Sequence, residues 1–171
     1  MSEMPYLEEV SSDATPVSRS LLEMGIAHRV FRHLGPLRSL EQAAFERGQR
    51  PQQVVRSIVF RTAAGEFVMV LVAGPAQIAW PALRAYLGQS RLTTATEDEL
   101  LAVTGYSKGA VAPFALAAPM RILIDRGVLE EDVISMGSGV QGTTVILRSA
   151  DLVKETLKFI HIPAFTQNEA G

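Results

Sequence analysis

The alternation of apolar and polar positions divides this chain into short helices and strands. Two runs rich in β-branched residues, 54–61 and 66–73, are separated by four residues that end in Gly65. This arrangement predicts a β-hairpin. The second run is almost continuously apolar, which is typical of a central strand with both faces covered.

Helix signals lie on both sides of the hairpin. Pro16 stands in the first turn of a predicted helix, Ser39 can cap a second one, and residues 96–99 (TEDE) form a capping box. The predicted helices cover 13–25 (starting at Asp13 or Thr15), 39–47, 81–88, 96–105 and 149–158, with a short helical turn at Pro51. The predicted strands cover 26–31, 54–61, 66–73, 121–125, 132–136 and 143–147. In the second helix we expect Leu40, Ala43, Ala44 and Phe45 to face inward.

Helices and strands do not alternate strictly, and several strands are joined by short turns. This favours an α+β fold with a mixed sheet over a doubly wound nucleotide-binding fold. The 171 residues suit one domain, and neither an internal repeat nor a linker is visible. We expect a flexible leader at 1–12, one domain at 13–160 and a frayed tail at 161–171.

Composition narrows the possible chemistry. Hydrophobic residues make up 47% of the chain and cysteine is absent, so disulfides, thiolate metal sites and a cysteine nucleophile are excluded. The three histidines lack the paired spacing of a zinc site, so we expect neither a metal nor a cofactor. The first residues are polar and acidic, unlike a signal peptide, and no apolar run is long enough for a bilayer. We therefore expect a cytoplasmic protein without a membrane partner.

Charge is unevenly distributed although the net charge is only −2. Segment 29–61 contains seven arginines but only two acidic residues, Glu41 and Glu46. These arginines either lie on solvated helix faces and strand ends or form a local footprint for a phosphate backbone. Arg56 is separate, because it interrupts an apolar strand and shares a face with Val54 and Ile58. It is either an edge-strand charge that opposes aggregation or a cation that reaches into a pocket to meet phosphate.

The segment 102–125 carries the strongest functional signal. Its Gly105 and Gly109 precede Pro113, and Lys108 is its only charged residue before Arg121. A loop with so few reactive side chains can still act by presenting backbone N–H groups to a ligand. The segment therefore predicts a pocket wall built from main chain.

Two neighbouring features are weaker signals. The turn 137–142 (GSGVQG) does not open a helix and is not a P-loop, and Ser138 is not in a G-x-S-x-G motif. Asp125 ends a predicted strand and is the acidic residue nearest the glycines. We prefer a role in holding the loop through its N–H groups to a role as general base.

Several motifs together resemble one family. The segment TGYSKGAVAP (104–113) is similar to the TGY and GxxxP motifs of the YbaK-type and prolyl-tRNA synthetase-associated editing domains. Segments 15–26, 54–60, 121–125 and 139–142 resemble further family motifs and occur in the family's order. The chain differs from the family pattern in having Arg56 for a lysine, Ser57 for a threonine, Ala115 for a glycine and Gly137 for a serine.

The resemblance implies a mixed sheet partly curved into a barrel and flanked by helices. It implies a metal-independent aminoacyl-tRNA deacylase that hydrolyses the ester of a mischarged tRNA, such as Cys- or Ala-tRNA for proline. The partners would be the tRNA acceptor end and prolyl-tRNA synthetase. The implied catalytic residues are Arg56 and Gly109, and the implied substrate-binding residues are Ser57, Gly105, Tyr106, Ala110, Val111, Ala112, Pro113, Asp125, Gly137, Ser138 and Gly139.

Two other functions stay open at the level of sequence. The first is a non-catalytic module of the same fold that binds a tRNA acceptor end or a nucleotide through the arginines of 29–61. The second is a hydrolase acting on a small molecule, which the apolar pocket residues would suit. Release of an amino acid from charged tRNA would separate deacylation from both.

Overall fold

The computed structural model describes residues 15–155, 160–162 and 166–167. Within these ranges the helices are α1 (Pro16–Glu23), α2 (Leu40–Glu46), α3 (Trp80–Leu87), α4 (Glu97–Thr104), α5 (Arg126–Leu129) and α6 (Ser149–Glu155), with a 3-10 helix at Pro51–Gln53. The strands are β1 (His28–Arg32), β2 (Val55–Thr62), β3 (Phe67–Ala73), β4 (Gln77–Ile78), β5 (Leu92–Thr94), β6 (Arg121–Asp125), β7 (Val133–Gly137), β8 (Thr143–Arg148), β9 (Ile160–Ile162) and β10 (Thr166–Gln167).

The strands form a mixed, mostly antiparallel set of sheets, as the sequence predicted. The largest has the order β5-β2-β3-β6-β9, in which β6 runs parallel to both β3 and β9. The second has the order β1-β8-β7 and is antiparallel throughout. The third is the antiparallel pair of β10 and β4. Strand β10 and most of β9 fall in the segment expected to be a tail.

The two larger sheets meet at one point, where Val54 bridges to Ser135 in parallel fashion. The strands of the described residues do not close into a barrel. A large apolar cluster packs between the sheets, and its buried members include Met69, Leu71, Ile134 and Leu147. The outer face of the five-stranded sheet packs a smaller cluster around Phe60 and Leu83. This arrangement leaves a recess beside the bridge, which is lined by several of the residues selected from the sequence.

The predicted helix caps at Thr15, Ser39, residues 96–99 and Gly88 are confirmed, whereas α1 ends at Glu23 with Met24 as its cap and not at Gly25, and the predicted end of the last helix at residue 158 lies outside the described residues. The Thr15 and Ser39 hydroxyls accept hydrogen bonds from the Ser18 and Gln42 N–H groups, each at 3.0 Å. The capping box at 96–99 forms in both directions. Gly88 ends α3 in the left-handed conformation that glycine adopts without strain. The hairpin of β2 and β3 also forms as expected.

Three details differ from the sequence-based expectations. Strand β1 begins at His28 rather than at residue 26. Phe45 does not face inward: its side chain is 84% exposed, because the buried face of α2 runs through Ala43 and Ala44 instead. The short elements β4, β5 and α5 were not predicted, since segments of two to four residues carry no readable periodicity. None of the helices in the described ranges is long and apolar enough to cross a membrane.

Candidate functional site

A cavity of about 430 Å³ opens beside the junction of the two sheets. We call it the main cavity. Its lining residues are Leu37, Ser39, Leu40, Ala43, Arg47, Val54, Val55, Arg56, Ser57, Ile58, Lys108, Gly109, Val111, Met136, Gly137, Thr143 and Thr144. Three of these carry a positive charge, and the lining includes neither an acidic residue nor a histidine. The cavity is therefore an electropositive, half-apolar recess in a chain whose net charge is negative.

One wall is the glycine loop, residues 105–120, which connects α4 to β6. Gly105 ends α4 with a φ of +82°. The Tyr106 hydroxyl donates to the carbonyl of Phe114 at 2.7 Å and to that of Ala115 at 3.0 Å. Ala115 itself adopts a φ of +52°, in the region that favours glycine. Tyr106 is thus an internal brace of the loop, and burial raises the pKa of its hydroxyl.

The loop approaches the end of β7 so closely that only glycine fits there. A Cβ atom on Gly137 would lie 2.3 Å from the Val111 carbonyl oxygen and 2.6 Å from the Ala110 carbonyl carbon. The neighbouring Gly139 donates its N–H to the Ala110 carbonyl at 2.9 Å. Main chain therefore packs directly on main chain at this wall of the main cavity.

Three residues of the glycine loop line the main cavity, and the first of them, Lys108, has an N–H without an acceptor among the described residues. Among the described residues, the N–H groups of Gly109 and Val111 have no protein acceptor, and both residues line the main cavity. The N–H of Ala110 between them is already used, because it donates to the Ser107 carbonyl at 3.0 Å. Gln141 holds this part of the loop by donating to the Ser107 hydroxyl at 2.9 Å and to the Lys108 carbonyl.

The opposite wall is formed by the start of β2. Ser57 lines the main cavity, and its buried hydroxyl has no hydrogen-bond partner among the described residues. Arg56 lines the cavity too, but its Nε donates to the Gly74 carbonyl at 2.9 Å and its Nη2 donates to the Ala76 carbonyl. Partial burial lowers the pKa of this guanidinium. Strand β2 lies between β3 and β5 in the sheet order, but β5 pairs only with Phe60–Thr62, so at Arg56 the strand is paired with β3 alone among the strands of this sheet.

The third wall is α2 with its C-cap Arg47, a cation that is one of the seven arginines of 29–61 but not among the site residues that the family resemblance implied. Leu40, Ala43 and Arg47 lie at positions i, i+3 and i+7 and all line the main cavity. Arg47 is only 8% exposed, and burial lowers the pKa of its guanidinium to about 10. Its Nε donates to His33 Nε2 at 3.0 Å and its Nη1 donates to the Ser135 hydroxyl at 2.9 Å. Helical spacing from Leu40 would have placed Arg47 on the inner face.

The structure brings together some of the residues selected from sequence. Arg56, Ser57, Gly109, Val111 and Gly137 all line the main cavity. Gly105, Tyr106, Ala110, Ala112, Pro113, Asp125, Ser138 and Gly139 do not line it. Those in the glycine loop shape the wall from behind, and Ala110 and Ala112 are fully buried.

Asp125 and Ser138 have local structural tasks. Asp125 accepts a hydrogen bond from the Gly127 N–H at 3.0 Å and so caps α5, and the role in holding the glycine loop that we expected for it stays a prediction. The Ser138 hydroxyl donates to the Thr143 carbonyl at 2.9 Å across the turn that precedes β8. Both of these bonds lie in the turn that follows a strand.

Within the described ranges, no group of three or more histidine or acidic side chains could hold a metal ion. The main cavity is lined by several groups that could bind a ligand. They include the N–H groups of Lys108, Gly109 and Val111, the buried Ser57 hydroxyl and three cations, arranged around a space that a small acyl group and part of a nucleoside can enter.

Comparisons with curated proteins identify proline–tRNA ligases as relatives. The chain is 30% identical over 96 residues to the enzyme of Thermosipho melanesiensis, which is 56% of this chain and 17% of the ligase. It is 29% identical over 96 residues to the enzyme of Trichlorobacter lovleyi, with the same coverage. The match thus spans about one sixth of these ligases' own length.

Comparisons with solved structures match nearly the whole fold. A hypothetical protein of 21% identity superposes with a TM-score of 0.80, covering 89% of this chain and 99% of its own. A protein described as a candidate trans-editing enzyme for prolyl-tRNA synthetase superposes with a TM-score of 0.79 at 22% identity, covering 94% of this chain and 99% of its own. The model of the aminoacyl-tRNA editing domain matches residues 35–155, a range that includes every wall of the main cavity. The chain belongs to the aminoacyl-tRNA editing domain family.

Proposed function

We propose that this chain is a trans-acting deacylase that hydrolyses the ester bond of a mischarged aminoacyl-tRNA. The observation that carries the proposal is the composition of the main cavity: open backbone N–H groups and cations, without an acidic side chain. Such a site suits a substrate that is anionic along its backbone and already activated at its carbonyl. The 3′ end of a charged tRNA has both properties.

The ester needs little acid–base chemistry from the protein. Water attack on the carbonyl creates an oxyanion, which the N–H groups of Gly109 and Val111 would stabilise. Loss of one such preorganised donor costs about 3–4 kcal/mol in comparable sites. Because the main cavity is lined by neither His, Asp nor Glu, a phosphate of the substrate, directly or relayed through a ribose hydroxyl, would take the proton from the attacking water. The same proton would pass to the ribose oxygen that leaves when the ester C–O bond breaks.

The remaining lining residues would orient the substrate. The Ser57 hydroxyl, which has no hydrogen-bond partner in the part of the chain that the structure describes, would bond to the bound aminoacyl-adenosine. Arg56 keeps part of its guanidinium on the Gly74 and Ala76 carbonyls and would meet the terminal adenosine or its phosphate with the rest. The buried Gly105, Tyr106, Ala110, Ala112 and Pro113 would fix the shape of the glycine loop, and Gly137, Ser138 and Gly139 would support it from the other side.

The most suitable substrate is alanyl- or cysteinyl-tRNA for proline. The relatives are proline–tRNA ligases, and the similar structure is described as a candidate trans-editing enzyme for prolyl-tRNA synthetase. Val111 and Val55 would restrict the acyl group by shape, although one methylene gives only about 1–3 kcal/mol of discrimination. We propose that the protein acts in the cytoplasm, where tRNA is charged, with prolyl-tRNA synthetase as a partner.

The test is release of amino acid from tRNA specific for proline that carries alanine, cysteine, serine or proline. We expect loss of the ester for one or two non-cognate amino acids and none for proline. The Gly109→Ala variant should lower kcat/KM by at least about 10-fold, because it displaces the N–H donors. Gly65→Ala is the matched control, since Gly65 has a similar positive φ (+83° against +90°) but lies in the hairpin turn.

Equal activity of the two glycine variants would refute the role of the glycine loop. Salt-dependent tRNA binding without release of any amino acid would favour the non-catalytic alternative. That alternative is supported by the same cations, which would hold an acceptor end whether or not hydrolysis follows.

A further inference from the structure

Arg47 is a buried cation that makes no direct ion pair with a carboxylate among the described residues. Neither Arg50–Glu131 nor Arg61–Glu99 includes it, and the carboxylate that favours its charged form is Glu46, which it reaches only through His33. An arginine that is only 8% exposed is costly to bury unless something compensates its charge. Its two hydrogen-bond partners, His33 and Ser135, are both uncharged acceptors in this arrangement.

The bonds around His33 define that neutral state. Arginine is always a donor, so His33 Nε2 accepts from Arg47 and the ring proton lies on Nδ1. Nδ1 then donates to Glu46 Oε1 at 3.0 Å, and Gln42 donates to Glu46 Oε2 at 2.8 Å. This chain of bonds holds the imidazole in one orientation, which in turn holds the Arg47 guanidinium at the cavity wall.

The guanidinium has donors left for a ligand. It carries five N–H groups, and within the described part of the chain only two of them are used, one on Nε and one on Nη1. Arg47 lines the main cavity and also a second cavity of about 540 Å³, which includes His33, Gly142 and Thr143. Neither cavity is lined by an acidic residue, so nothing in either lining competes for this cation.

We propose that Arg47 is the cation of an anion-binding subsite in the main cavity, which takes an oxyanion group of the substrate. A guanidinium matches the planar, bidentate geometry of a phosphate or carboxylate oxygen pair. The anion is either the last phosphodiester of the tRNA 3′ end or a carboxylate on the acyl group. Only this choice of source rests on the proposed deacylase function; the anion site itself does not.

The subsite can be tested by binding rather than by turnover. Isothermal titration calorimetry with the dinucleoside monophosphate CpA measures the affinity for a phosphodiester, and a mixture of cytidine and adenosine is its uncharged control. The affinity for a carboxylate is measured with a non-hydrolysable adenosine that carries aspartate through a 3′-amide. The control for this probe carries asparagine in place of aspartate. Inorganic phosphate reports the bare anion affinity.

The variants isolate the charge of Arg47. We expect Arg47→Leu to lower the affinity for the anionic probe that matches the natural ligand by at least about 10-fold. The affinity for the uncharged control of that probe should not change. Arg47→Lys should restore part of the affinity. Arg91→Leu removes an exposed arginine that lines neither cavity, so it corrects for the general loss of positive charge. Arg47→Gln serves if the leucine variant does not fold, because it keeps a polar group in place.

The outcomes separate the possibilities. Loss of affinity for CpA alone assigns the site to the tRNA backbone, and loss for the aspartyl analogue alone assigns it to the acyl group. If the Arg47 variants bind each anionic probe as tightly as the wild type does, the proposed subsite is wrong. Because these measurements need no hydrolysis, an intact anion site in a protein that releases no amino acid would contradict only the proposed function.

Discussion

Replacing Gly137 with alanine adds one methyl group where two stretches of main chain touch. The new Cβ would lie 2.3 Å from the Val111 carbonyl oxygen, whereas ordinary contacts begin at 3.4 Å. To relieve this clash, β7 and the glycine loop must move apart by about 1 Å. The obstacle is backbone, so no side chain can rotate out of the way.

The loss in free energy of unfolding caused by this shift can be estimated from the cost of adding a methyl group to a tightly packed core. Insertion of a methyl group into a tightly packed site costs about 1–3 kcal/mol, and the short contact places Gly137→Ala near the upper end. The hydrogen bond from Gly139 to Ala110 lies beside the contact and would be strained as well. For a chain of this length we expect the thermal midpoint to fall by about 5–10 °C. Displacement of the cavity wall by about 1 Å should also lower kcat/KM by as much as about 100-fold.

The assay is thermal and urea unfolding, followed by deacylation below the melting range. Gly35→Ala is the control, because a Cβ at Gly35 meets nothing within 4 Å and its φ is not positive. We expect this control to match the wild type in stability. An equal unfolding midpoint for the two alanine variants would show that the loop and β7 are not packed main chain on main chain.

Three other predictions concern single hydrogen-bonding groups. Ser57→Ala removes a buried hydroxyl that has no partner among the described residues, so urea unfolding should show no loss of stability while kcat/KM for deacylation falls by about 10-fold. Tyr106→Phe removes the donor to two loop carbonyls and should lower the free energy of unfolding by about 1–2 kcal/mol; an unchanged midpoint would contradict the bracing role. The Thr96 backbone N–H holds the pKa of the Glu99 carboxyl below its usual value near 4.5. Ionised Glu99 therefore contributes fully to the free energy of unfolding above that pH, and this contribution is lost as the pH falls through the lowered pKa. Glu99→Gln should therefore show a smaller loss of stability than the wild type on acidification below about pH 4.5, and a parallel loss would refute this.

Local signals were the most readable part of the sequence. The helix caps at Thr15, Ser39 and Thr96 were predictable because each depends on a side chain and an N–H two or three residues away. The hairpin of β2 and β3 was predictable for the same reason, since its turn is short. The parallel pairing of β6 with β3 was not, because it joins segments about fifty residues apart.

The candidate site was only partly predictable. Glycine spacing located the loop with Gly109, but nothing local indicated which N–H groups would be left open. Of the four residues expected to face inward, Ala43 and Ala44 are buried and Leu40 lines the main cavity, but Phe45 is exposed, and Arg47 was not assigned to this face. A helix of seven residues has too few turns to fix its phase from apolar residues alone. Its true inner face ends on a charged residue, which propensity reasoning assigns to the surface.

A wall made of main chain has a consequence for how this site tolerates mutation. Every residue except proline offers the same backbone carbonyl and N–H groups, so a substitution at an exposed position of the glycine loop would leave the ligand-facing atoms chemically unchanged. The exceptions are Gly109, whose positive φ disfavours a side chain, the buried Ala110 and Ala112, and Gly137 on the facing strand β7, where any side chain would collide. Substitutions should therefore be tolerated over much of the loop and be strongly damaging at a few positions. Adaptation to a new amino acid would proceed through the side chains of α2 and β2 that line the main cavity.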